Sequence, residues 1–78
     1  AAVSRFLIFE RIAGSAKTET WSVKSAQSGD LLGMVRWFGR WRQYAFFPTA
    51  GAAFNPECLA DLADFVDDLT IRHRVAAR

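Results

Sequence analysis

Hydrophobic and polar positions alternate with period two through residues 19–25. Trp21 and Val23 fall on one face, and Thr20, Ser22 and Lys24 on the other. That is the pattern of a strand with one wet face. Residues 5–12, RFLIFERI, also read as a strand, but their centre is apolar on both faces, so part of it is expected to be covered. Residues 31–37 and 41–47 supply two more strands, rich in the β-branched and aromatic side chains that suit a pleated, half-buried surface. Between them, Phe38-Gly39-Arg40-Trp41 places Gly where a two-residue type II′ turn needs positive φ. That register sets Phe38 opposite Trp41, Arg36 opposite Gln43, Met34 opposite Ala45 and Leu32 opposite Phe47 on one face. Trp37 meets Arg42, Val35 meets Tyr44 and Gly33 meets Phe46 on the other. The Trp37–Arg42 pair predicts a cation–π contact of about 0.5–2 kcal/mol. Gly33 lets the Phe46 ring lie over the neighbouring strand.

After Pro48 the period changes. Proline has no amide hydrogen for a ladder and ends the fourth strand. Asn55-Pro56-Glu57 then signals a helix start: Asn55 caps, Pro56 fits the first helical position and Glu57 complements the positive end of the dipole. Phe54, ahead of the cap, is expected to staple against Leu59. Cys58, Leu59, Leu62, Phe65, Val66 and Leu69 recur at 3–4 spacing as one apolar stripe, with Asp61, Asp64, Asp67 and Asp68 on the remaining circumference. Arg72, His73 and Arg74 suit the negative end. The helix is predicted over about residues 56–72, and Val75 to Arg78 are expected to fray. Small and turn-forming residues at 13–17, 26–30 and 49–53 make short connections. Short connections favour an antiparallel meander. The predicted fold is therefore α+β: a four-stranded antiparallel β-meander with one C-terminal α-helix packed on one face, ββββα, in a single domain over residues 1–78.

Composition narrows the function classes. A chain of 78 residues has room for one modest core. Its aromatic share of 14% is high for this size and fits either a ring-dense core or rings left for a partner. One cysteine, Cys58, excludes an intramolecular disulfide framework and fits a reducing compartment. No apolar run reaches the roughly 18–20 residues of a membrane span. The amino-terminal stretch lacks the marks of a signal peptide. A cytoplasmic protein without a membrane partner is the expectation. The chain starts without Met, as a processed chain or a fragment does.

The net charge of +2 is unevenly spread. Residues 1–54 carry seven Lys or Arg against three acids, a net of +4, while residues 55–78 carry five acids against three Arg, a net of −2. The sheet is basic and the helix mostly acidic, which permits nucleic acid on the sheet side. Catalytic constellations are missing. His73 is the sole histidine, and dipole complementarity at a helix end accounts for it. Cys58 lies in the first helical turn but also in the apolar stripe, as a core thiol. The helix aspartates read as a solvated face rather than a cation site. Zinc needs more Cys and His than the chain holds, and there is no glycine-rich phosphate loop. The reading is a non-enzyme with no cofactor and no metal.

The run from Leu32 to Pro48, LGMVRWFGRWRQYAFFP, followed by Phe54-Asn55 and by CLADLADF over 58–65, resembles small proteins of bacteria and their phages with an LGxVRW…WRxYxFFP…CLxDLAxF pattern. The likeness covers about half the chain and brings no activity with it. Gly33-Met34-Val35-Arg36 and Gly39-Arg40-Trp41 also resemble the hairpin of AP2-type DNA-binding domains, which implies Arg and Trp on strands in contact with DNA. From the residues themselves, Arg36, Arg40 and Arg42 with Trp37, Trp41 and Tyr44 supply cations and stacking surfaces on adjacent strands. These six are the candidate binding residues, for nucleic acid first. The alternative is a protein-interaction module, homodimeric or docking on a host protein, because Trp, Tyr and Arg are also enriched at interface hot spots and a meander has two pairing edges. The bland reading is that most of these rings build the core and the arginines only solubilise the sheet.

Overall fold

The computed structural model describes residues 2–3, 5–15 and 17–76. Strands β1 (Ala2–Val3), β2 (Leu7–Gly14), β3 (Glu19–Ser25), β4 (Leu31–Phe38) and β5 (Gln43–Pro48) lie in chain order in one antiparallel sheet, and helix α1 (Pro56–Ala76) packs across it. The four long strands and the helix are the ββββα arrangement that the pattern predicts. The two-residue β1 is an addition, pairing with Ile8 and Phe9 of β2. No helix among the described residues is long and apolar enough to cross a membrane.

Strand parity decides which residues meet the helix. Leu7, Phe9, Val23, Val35 and Tyr44 turn toward α1 and form the core with its Leu62 and Leu69. Phe65 of α1 stacks on Phe9 with ring centroids 4.0 Å apart and receives the edge of Trp21 at 5.1 Å. Such ring pairs add about 0.5–1.5 kcal/mol beyond their buried area. The Trp21 indole nitrogen is buried without a hydrogen-bond acceptor among the described residues, a cost of about 1–3 kcal/mol that the ring packing offsets.

Asn55 caps the helix as predicted, its Oδ1 accepting from the Cys58 amide at 2.8 Å. Phe54 finds a partner on the sheet. It packs edge-on against Phe46 at 5.4 Å, and Leu59 is 51% exposed, off the buried stripe. The helix runs to Ala76, beyond the predicted end, with Arg72 paired to Asp68 one turn back. Residues 77–78, where fraying is expected, lie outside the described residues.

Thr70 is a core residue that hydrophobicity does not mark. Its hydroxyl donates to the Val66 carbonyl and accepts from the Tyr44 amide, both at 3.1 Å. The helix thereby occupies a donor on β5, the last strand of the sheet. Pro48 of the same strand has no N–H to offer. At the opposite side, β1 pairs with Ile8 and Phe9, and residues 10–14 of β2 are exposed, with a bulge between Arg11 and Ala13. Bulges and charged residues are common devices for discouraging edge pairing.

The β4–β5 connection differs from the predicted turn. Phe38 pairs with Gln43 rather than Trp41, leaving a four-residue loop, Gly39 to Arg42. Two successive turns close it, from the Trp41 amide to the Phe38 carbonyl and from the Arg42 amide to the Gly39 carbonyl. The positive φ of 52° falls on Arg42, not on Gly39. The register therefore moves by two, which preserves every residue's face. Trp37 now stands opposite Tyr44, so the predicted Trp37–Arg42 contact is replaced by an edge-to-face ring pair at 5.5 Å.

Gly33 is required by close approach. A Cβ there would lie 2.5 Å from the Phe47 carbonyl oxygen and 2.6 Å from the Phe46 ring. Gly33→Ala is expected to lower unfolding free energy by about 1–3 kcal/mol, read from a urea melt, because both the ring and the strand spacing must give. Thr70→Val, which leaves the Tyr44 amide without its acceptor, is expected to cost about 1–3 kcal/mol in the same assay, whereas Thr70→Ser, which keeps the hydroxyl, is expected to avoid most of that loss.

Candidate nucleic-acid interface

The helix covers one face of the sheet, and the same alternation sends every second residue of β4 and β5 to the other. Met34, Arg36 and Phe38 on β4 share this outer face with Gln43, Ala45 and Phe47 on β5. Trp41, in the loop, joins them through its ring, which meets Phe38 edge-to-face at 4.6 Å. Phe38 in turn lies 6.0 Å from Phe47. Arg36 lays its guanidinium carbon 3.8 Å from the centroid of Phe47. The result is a connected row of rings, Trp41, Phe38 and Phe47, with a cation over one end. Phe38 and Phe47 are half-buried, and Trp41 is 62% exposed.

Arg40 and Arg42 flank Trp41 in the loop, both exposed. Among the described residues, the ion pairs are Arg11 with Glu19 and Arg72 with Asp68. Arg36, Arg40 and Arg42 thus have no carboxylate partner there. Glu10 is the acid that strand parity places on the outer face, and it sits on β2 with β3 between it and β4. The exposed Asp64, Asp67 and Asp68 are on the helix, across the sheet.

The six residues singled out from the sequence therefore divide. Arg36, Arg40, Trp41 and Arg42 gather on the outer face and its loop. Trp37 and Tyr44 turn toward the helix. Tyr44 is 4% exposed, its hydroxyl accepting from the Glu19 amide at 3.0 Å. Trp37 is half-buried against His73, ring centroids 4.2 Å apart. His73 itself is held by Nδ1 at 3.0 Å from the Lys17 carbonyl oxygen, so it belongs to the helix–sheet junction rather than to an exposed helix end. Its position four residues after Leu69 continues the buried stripe, which was the available signal. Phe38 and Phe47 were not among the six, although parity already put them on one face with Arg36 and Trp41.

A concavity of about 200 Å³ lies at the carboxyl end of the helix between Lys17, Glu19, Leu69, Arg72 and His73. Its lining mixes both charge signs, Lys17 and Arg72 with Glu19. No group of three or more His, Cys, Asp or Glu among the described residues is placed to hold a metal ion. Cys58 packs against the core, in keeping with a structural thiol. Comparison of the chain with family models, with curated proteins and with solved structures finds no match in any of the three.

Proposed function

We propose that this chain is a non-catalytic, cytoplasmic binding module that contacts nucleic acid through the outer face of β4, the β4–β5 loop and β5. The observation that carries the reading is the juxtaposition of an exposed indole with three arginines that lack carboxylate partners among the described residues. Guanidinium groups neutralise phosphates, and every base has a face on which a ring can stack. The acidic helix lies on the far side, where it does not oppose an approaching polyanion.

The loop backbone adds support. Arg42 occupies the left-handed region at a position where Gly or Asn is favoured, at a conformational cost of about 1–2 kcal/mol. A strained backbone at an exposed cation is the kind of outlier that points to use of the side chain. Arg42→Gly separates the two roles. It is expected to raise stability by up to about 1 kcal/mol in a urea melt while weakening nucleic-acid binding several-fold. A loss of stability, or unchanged binding, removes this support.

The direct test is a mobility shift with the Arg40→Ala/Arg42→Ala double variant. Both side chains are exposed, so the fold should persist by circular dichroism while the shift is abolished. An unchanged shift rejects the site. For the unmodified chain, three neutralised phosphates predict a slope of log K against log salt of about −2 to −3. A second reading, a protein-interaction module, draws on the half-exposed Leu59, Ile71 and Val75 of the helix. A partner held there would bind with little dependence on salt, whether it is a host protein or a second copy of the chain.

A further inference from the structure

Resting on the nucleic-acid reading above, we infer that the preferred ligand is an unpaired single strand laid across the outer face, with a base stacked on Trp41, rather than a duplex read in its groove. The outward side chains along the row are rings: Trp41, Phe38 and Phe47. Rings offer faces for stacking and few hydrogen-bond groups. In a duplex the base faces are covered by their neighbours, and only the edges are presented in the grooves. Single strands expose those faces, and aromatic side chains on a sheet are a general means of holding them.

The breadth of the sheet argues the same way. Four strands at about 4.8 Å spacing set the outermost axes about 14 Å apart before any side chain is added. A major groove is about 12 Å wide and admits a two-stranded ribbon. Here β4 and β5 are not a free ribbon. The β4 strand is paired on both sides, and the inner face of the hairpin is closed by His73 packed on Trp37. The cations also suit a strand lying flat. Arg36 sits on the face over Phe47, and Arg40 and Arg42 stand in the loop beside Trp41, so phosphates on either side of a stacked base are within the cationic track.

The test is a fluorescence-anisotropy titration of the full chain with end-labelled oligomers of roughly 12 units, the length scale of such sites. The probes are oligo(dT), oligo(U) and a mixed-sequence duplex, measured at about 50 and about 200 mM salt. At least one of the two single strands is expected to bind about tenfold or more tightly than the duplex. Trp41→Ala is expected to weaken that binding about tenfold, with the fold retained by circular dichroism at the titration temperature because the side chain is largely exposed and outside the core. Duplex binding as tight as that of both single strands overturns the inference and leaves the nucleic-acid reading standing. So does single-strand binding that Trp41→Ala leaves intact while Arg40→Ala/Arg42→Ala weakens it. No binding to any of the three probes overturns both.

Discussion

Every feature of the candidate surface depends on the two-residue alternation of β4 and β5. One helix can cover only one face of a sheet, and α1 takes the face bearing Val35, Trp37 and Tyr44. Whatever stands at the intervening positions must meet solvent or a partner. At those positions the chain carries Met34, Arg36, Phe38 and Phe47, a set with far more ring surface than a wet face needs. Neither the loop cations nor Trp41 would be near these rings if the register slipped by a single residue.

Apolar packing of Leu62, Phe65 and Leu69 holds the helix on the sheet, and polar contacts near its carboxyl end add to it. Thr70 binds the Tyr44 amide, Tyr44 in turn accepts from the Glu19 amide, and His73 bridges Trp37 to the Lys17 carbonyl. These side chains link three strands, the β2–β3 turn and the last two turns of the helix. With so few fully buried apolar residues, such polar contacts are a substantial share of what keeps the helix in one position. They also explain why the tip of the β4–β5 hairpin is supported from beneath despite reaching beyond the last β3–β4 pair at Trp21 and Val35.

Much of this architecture was legible from the chain. Strand parity at Trp21 and Val23, the Asn55 cap and the Leu62–Leu69 spacing all lead to the observed fold, because each reports a local preference that the tertiary structure respects. The face of each β4 and β5 residue also survived an error in the turn, since a shift of two keeps parity. The turn itself was not legible: Gly39 is the expected marker of positive φ, and nothing in the composition of the loop transfers that role to Arg42. Reading the site by residue type brought in Trp37 and Tyr44, which parity assigns to the helix side, and left out Phe38 and Phe47, which it assigns to the other. Thr70 and His73 escaped because a stripe read from hydrophobicity does not register interior positions filled through hydrogen bonds.

The separation of charge across the sheet has a consequence for encounter. Most carboxylates of the helix lie on one side of the sheet and guanidinium groups without carboxylate partners among the described residues stand at the other, which gives the charge distribution a transverse dipole despite the small net charge. In the field of a linear polyanion such a body rotates before it touches, presenting the ring-bearing side first. For a polyanionic partner of the kind proposed, orientation during diffusion would raise the fraction of productive collisions and make the capture rate depend on ionic strength through torque as well as through attraction.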